Sequence, residues 1–286
     1  MIEKSNFLRL FNRAFWKAFF SNNLPIDIPK TPADRVALVE SVYSDIVSGR
    51  YAPGIPETEL VINKGRGVAR TVPVFSIRDY CVYYFCIKEL EAVLCSNRTQ
   101  NTFGGWTLGG QLRVSEKDEI ESEATTYGRY SFNPQAWTKA FGEFNSLLFA
   151  QLDTGKYDYV LQLDLSNFYD CVRLDILERW IREYASHKKV WVIALLFYLL
   201  NHWNRRNTGL HPQAVGLPQD ALSDCSRILA NFYLQRYDVF ASGVCSQIEA
   251  MYFRYADDQM ILLNDERRAT ICCFYLPAIL IGMVCG

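Results

Sequence analysis

The stretch Phe253-Arg254-Tyr255-Ala256-Asp257-Asp258-Gln259-Met260-Ile261-Leu262 sets two adjacent carboxylates in the middle of an apolar, β-prone run. Met251 and Tyr252 lead into it and Leu263 follows. The pattern predicts a tight strand-turn-strand with Asp257 and Asp258 at the bend. Adjacent like charges repel, so a fold that holds both between buried strands needs a cation to neutralise them. Taken alone, an Asp-Asp pair is most often a solvated turn. What separates the two readings is whether the chain supplies a third carboxylate and a phosphate-binding surface.

A third carboxylate stands at Asp164. Val160-Leu161-Gln162-Leu163 reads as a buried-type strand, and an acid at its end is expensive unless paired or metal-bound. Downstream, Arg173 to His187 forms an amphipathic pattern and Trp191 to Leu200 an apolar one. Gly216-Leu217-Pro218-Gln219 is a turn that opens a helix from about Ser223 to Tyr237. Upstream, Glu59 to Val74 reads as two strands around a Gly-containing turn that carries Lys64, Arg66 and Arg70. Such a hairpin can close over a triphosphate, although basic tips also serve solubility. Residues 97–116 form the longest loop-like stretch. A nucleic-acid strand could stack across Phe103 and Trp106 beside Arg113, or the segment could be a packed loop.

At the N-terminus, residues 7–20 predict one amphipathic helix with an aromatic face, suited to packing or to a membrane surface. Thr31-Pro32 predicts an N-cap opening a helix through Val47. Asp79 to Leu94 and Ala136 to Phe149 read as further helices.

Composition sets the outer limits. A chain of 286 residues, half of them hydrophobic, builds one large or two small folded domains. The net charge of −1 excludes a globally basic protein, so a nucleic-acid partner must be held by a local groove. Nine scattered cysteines without a CxxC pair point to a reducing cytoplasm, and the first residues lack a signal-peptide pattern. The uncharged tail from Ala269 is shorter than the roughly 20 residues of a spanning helix, and no membrane partner is expected. Cys272, Cys273 and Pro277 also argue against a helix core there.

Three segments now stand in order: Asp164 with Tyr169, Gly216-Leu217-Pro218-Gln219 with Asn231, and Tyr255-Ala256-Asp257-Asp258. Together they resemble the palm motifs of a reverse transcriptase, above all through Tyr-x-Asp-Asp in a hydrophobic hairpin. Asp164-Leu165-Ser166-Asn167-Phe168-Tyr169-Asp170 is similar to the first motif of bacterial and group II intron-type enzymes. Lys64, six positions before Arg70, and Arg70, nine before Asp79, resemble the fingers motif of those enzymes. The resemblance covers roughly residues 60–264.

It implies an α+β right-hand polymerase fold, with an antiparallel sheet packed on helices. Residues 1–58 would be a helical extension, 59–150 the fingers and 151–286 an incomplete palm without a thumb. Asp164, Asp257 and Asp258 would be catalytic. With the Leu165 carbonyl they would hold two Mg²⁺ ions, or Mn²⁺, about 3.5–4 Å apart. Lys64, Arg70, Tyr169 and Gln219 would bind the dNTP. Gly216, Pro218, Tyr255 and Arg113 would bind template and primer. Tyr169 stands where reverse transcriptases place the aromatic that blocks a ribose 2′ hydroxyl. RNA-dependent RNA polymerases put an acid there, whereas here Asp170 comes one position later, and on a strand a one-residue shift reverses the side chain.

The chain departs from the pattern at Asp220, where the family has glycine, and in a spacing from Gln219 to Asn231 two residues longer. It also stops 28 residues after Asp258, which suggests truncation, a changed frame, or a short variant that borrows its thumb from another molecule; a homo-oligomer is among the partners the resemblance allows. No retron Asn-Ala-x-x-His and no maturase or endonuclease segment is visible. What remains resembles stand-alone phage-defence reverse transcriptases, which implies a structured non-coding RNA template and a DNA product. The competing reading is an idle palm that serves as an RNA-binding or oligomerisation scaffold.

Overall fold

A computed structural model describes residues 3–22, 29–56, 58–65, 68–96, 98–105, 108, 137–165, 167–203, 216–219 and 224–285. The N-terminal helical pattern is broken in two, into α1 (Lys4–Leu10) and α2 (Arg13–Asn22). Asn12 makes the break: its Oδ1 accepts the Phe15 N–H at 3.1 Å, a local bond that competes with helix continuation. The aromatic face is buried in protein. Phe7, Phe15 and Phe19 meet Phe85, Tyr84 and Tyr80 at centroid distances of 5.0, 4.8 and 5.4 Å on α4 (Ile77–Leu94). Between them, α3 (Pro32–Val47) opens with a full capping box, in which Thr31 and Asp34 satisfy each other's backbone N–H groups. This is the start and length that Thr31-Pro32 predicts.

Strands β1 (Thr58–Gly65) and β2 (Val68–Val74) pair antiparallel as the expected hairpin. The second sheet has the order β3-β5-β6-β4, built from Thr102–Phe103, Met251–Tyr255, Asp258–Leu263 and Tyr159–Asp164 respectively. β4–β6 and β5–β6 are antiparallel, in line with the predicted α+β architecture. The two-residue β3 adds a parallel pair to β5. Nothing in the Gly-rich loop pattern announces it, because so short a strand is made by its partner.

Side chains alternate across this sheet. Tyr252, Ile261 and Leu263 enter the main core, with Leu161 and Leu163 packed at its margin. Phe253 and Leu262 face the other way, joining Phe103, Phe144, Leu148 and Tyr157. Helix α5 (Trp137–Leu152) supplies Phe144 and Leu148. The sheet is thus sandwiched at its β5 side. Its β4 edge is not, and this corrects the expectation of a buried strand: Tyr159 and Val160 are 45% and 47% exposed. An apolar run reads as a core strand whether it lies centrally or at an edge.

After β4 come the short α6 (Phe168–Cys171), α7 (Leu174–Tyr184) and α8 (Val190–Leu200). Helix α9 (Asp224–Gln247) runs ten residues past the predicted end at Tyr237 and packs on β5. Helix α10 (Glu266–Cys285) follows β6 and contains Pro277. Cys272 and Leu276 are buried along it, and the Cys245 thiol of α9 donates a hydrogen bond to Cys272. Tertiary packing outweighs the sequence signals against a helix here, and Cys273, whose carbonyl Pro277 leaves without a donor, faces solvent. Among the described residues no disulfide forms, and no helix is long and apolar enough to cross a membrane.

Candidate active site

The expected hairpin forms between β5 and β6, but it closes through Ala256 and Asp257, one residue earlier than the predicted bend at Asp257 and Asp258, because Asp258 pairs with Tyr255 and opens β6. Ala256 adopts φ 53°, a left-handed conformation that costs a residue with a Cβ roughly 1–2 kcal/mol. Asp258 opens β6 and pairs in register with Asp164 on one side and Tyr255 on the other. Like charges directly opposite on neighbouring strands destabilise a sheet. The Asp258 carboxyl accordingly titrates above the usual carboxylate range, raised by partial burial first and then by the charges of Asp257 and Asp164. The three acids therefore share one field, at the end of the sheet.

Among the described residues, no group of three His, Cys, Asp or Glu side chains is close enough to hold a metal by itself. The oxygen donor set nonetheless suits Mg²⁺, which takes one or two carboxylates and completes its shell with water and substrate phosphates. Mutual repulsion at Asp258 is the feature that a cation would relieve. Leu165 follows directly, its carbonyl accepting the Phe168 N–H at 3.2 Å.

Tyr169 lies on α6, so it and Asp170 differ by about 100° around a helix and not by the half-turn of a strand. Asn167, the cap residue just before the helix, is itself at φ 53°. Tyr169 is half-buried and Asp170 exposed. The Gly216 turn packs straight onto this helix. The Leu217 N–H donates to the Tyr169 carbonyl at 2.8 Å, and Trp203 Nε1 donates to the Gly216 carbonyl at 3.0 Å. Ser226 Oγ holds the Pro218 carbonyl at 2.5 Å. Gly216, Leu217 and Pro218 are buried, whereas Gln219 is half-buried, with an Oε1 that has no hydrogen-bond partner among the described residues.

Tyr255 packs on Phe141 and Phe144 of α5 at 5.2 and 5.8 Å. Phe103 is buried against Phe144, which makes this part of the Gly-rich loop the packed alternative and removes Phe103 from strand stacking. Trp106, Arg113, Arg66 and Asp220 lie outside the described residues, and Lys64 and Arg70 are placed on β1 and β2.

The model of the reverse transcriptase (RNA-dependent DNA polymerase) family matches residues 121–278, more than half of the chain. The chain belongs to that family. No curated protein matches it. The match contains all three carboxylates, Tyr169, the Gly216 turn and the β5–β6 hairpin. A reverse transcriptase is an RNA-directed DNA polymerase, a nucleotidyltransferase that copies an RNA template into DNA from dNTPs.

Sequence reasoning passed over one part of this reverse transcriptase. Arg254, inside the hairpin run, is fully buried. Its Nε and Nη2 donate to the two oxygens of Asp238 at 2.7 and 2.6 Å. Its Nη1 donates to Asn231 Oδ1 at 2.8 Å and to the Ala256 carbonyl at 2.7 Å. Burial would lower the guanidinium's pKa, but Asp238 more than offsets this and holds it above its ordinary value. A lone arginine amid strand-forming apolar residues was the available signal.

Proposed function

We propose that this reverse transcriptase extends a primer 3′ hydroxyl with dNTPs, using Asp164, Asp257 and Asp258 as its catalytic carboxylates. The observation that carries this reading is the in-register pairing of Asp164 with Asp258 beside the Tyr255–Asp258 turn, with the Asp258 carboxyl raised by partial burial first and then by both other acids. In the reaction the primer 3′ oxygen attacks the α-phosphorus of the dNTP. A new P–O bond forms as the bond to pyrophosphate breaks. Two Mg²⁺ ions, replaceable by Mn²⁺, would supply charge stabilisation of the attacking and leaving oxygens. Asp164 and Asp257 are the principal ligands in this reading, with Asp258 beside them and the Leu165 carbonyl contributing its second lone pair.

Around that centre Lys64 and Arg70 take the triphosphate, Arg by bidentate contact. Tyr169 closes the space beside the ribose C2′ and so selects deoxynucleotides. The unpartnered Gln219 Oε1 accepts from the incoming nucleotide, since a buried acceptor left unpaired costs about 1–3 kcal/mol. The buried Gly216 and Pro218 form the floor beneath template and base, with Tyr255 and Arg113 along the strands. Residues 59–150 act as fingers and 151–286 as palm, after an N-terminal helical extension. The template is a structured non-coding RNA and the setting anti-phage defence in the cytoplasm; the motif similarity to stand-alone bacterial enzymes supports this part alone.

The test is incorporation of labelled dNTPs on a primed RNA with Mg²⁺, comparing the native chain with Asp257→Asn/Asp258→Asn. Equal signal from both rules out these carboxylates. Sequencing products made without added template identifies any RNA that travels with the protein.

A further inference from the structure

The residue that precedes the two adjacent carboxylates of the β5–β6 hairpin is held at both of its backbone polar groups. The Ala256 N–H donates to the Phe103 carbonyl at 3.3 Å, and the Ala256 carbonyl accepts from Arg254 Nη1 at 2.7 Å. Both anchors trace to one buried network. Asn231 Nδ2 donates to the carbonyls of Gly104 and Gly105, the latter at 3.0 Å, fixing the segment that offers Phe103. The same Asn231 accepts from Arg254, which is clamped by Asp238, and Asp238 also receives the Tyr252 hydroxyl at 2.9 Å.

Stability alone does not explain this arrangement. A buried ion pair is often no more stabilising than apolar residues of similar volume. Two of the three guanidinium nitrogens satisfy Asp238, and the third reaches the turn, where Ala256 sits at φ 53°. A strained residue persists only where its surroundings over-determine it. The planar fork of arginine can serve Asp238 and Ala256 together, whereas a lysine ammonium, a single point of charge, cannot span both.

We propose that Arg254 is a positioning residue, which locks the Ala256 carbonyl to Asp238 and Asn231 and thereby sets the direction of the Asp257 and Asp258 carboxylates. This rests on the reading of those acids as the catalytic pair. Arg254 touches neither substrate nor metal and acts through the turn.

Two variants test it. Arg254→Lys keeps a charge against Asp238, and Arg254→Met/Asp238→Leu removes both charges so that none is left buried alone. Folding is checked by circular dichroism and melting. In either folded variant, kcat for dNTP incorporation should fall about 10- to 100-fold, the scale of an ångström-sized misplacement, with KM for dNTP nearly unchanged. Mn²⁺ titration followed by electron paramagnetic resonance should show weaker binding in the variant than in the native chain. Native kcat and native Mn²⁺ affinity in a folded variant would overturn the proposal. If the native chain incorporates nothing, the polymerase reading fails, while the Mn²⁺ titration still decides the role of Arg254.

Discussion

Gly216 lies so close to Tyr169 that a Cβ at position 216 would fall 1.8 Å from the Tyr169 carbonyl oxygen. The Leu217 N–H bonds to that same oxygen, so the two motifs are joined through backbone and neither can shift alone. Gly216→Ala must displace α6, with an overpacking penalty of about 1–3 kcal/mol. The expected outcome is a lower melting temperature together with weaker dNTP discrimination. A variant with native melting and native KM would show that the contact is dispensable.

Tyr169 itself is half-buried, with its ring 5.8 Å from that of Phe168. Tyr169→Ala opens the space beside it. Incorporation of rNTPs relative to dNTPs should rise roughly tenfold or more, the scale set by one lost steric contact. An unchanged rNTP/dNTP ratio in single-nucleotide extension would remove Tyr169 from the sugar pocket.

Charge crowding at Asp258 has a sign that can be checked. Its folded carboxyl titrates above the ordinary value of about 3.9, so between that value and the raised one the folded state binds more protons than the unfolded state. Stability contributed by this group therefore falls as pH rises through that window and stays reduced above it. Asp258→Asn should melt higher than the native chain at neutral pH without divalent cations. For a group that is only partly buried the gain is on the order of 1–3 °C. The difference should vanish below about pH 4 and narrow when Mg²⁺ is added to the native protein. A variant less stable than native at pH 7 would contradict the repulsion.

Lys88 and Glu91 form an ion pair on α4 with side chains 0% and 1% exposed, and the Glu91 carboxylate also accepts the Leu108 N–H. Glu91→Ala leaves a buried ammonium and an unpaired amide, and should destabilise the fold by about 3–5 kcal/mol in denaturant titration. Replacing both residues by methionine should recover most of that loss. Full stability in Glu91→Ala alone would mean that Lys88 finds water.

That the three carboxylates meet was legible, although the bend lies one residue earlier than read: a strand end at Asp164 and a two-residue turn at Ala256 and Asp257 place them together in any sheet that pairs β4 with β6. The capped start of α3 was legible for the same local reason, with Thr31, Pro32 and Asp34 all within one turn. What escaped depends on neighbours far along the chain. Val160 reads as core, yet it lies on an edge strand. Thr102 and Phe103 are a strand only because Arg254 and Tyr255 pair with them. Asn12 interrupts an aromatic period that is otherwise unbroken. Arg254 has a role only once Asp238 and Ala256 are both beside it, and no periodicity encodes that meeting.

The parallel pairing of β3 with β5 also imposes an order of events during synthesis. Residues 102–103 leave the ribosome long before their partners at 254–255, and Asp164 precedes Asp257 by 93 positions. At about 5–20 residues per second, the first carboxylate waits roughly 5–20 s for the other two. Until then the nascent chain carries β3 and β4 with no β-hairpin between them, two unpaired edges open to the wrong partner. A chaperone that shields this interval should raise the yield of active enzyme more than its melting temperature.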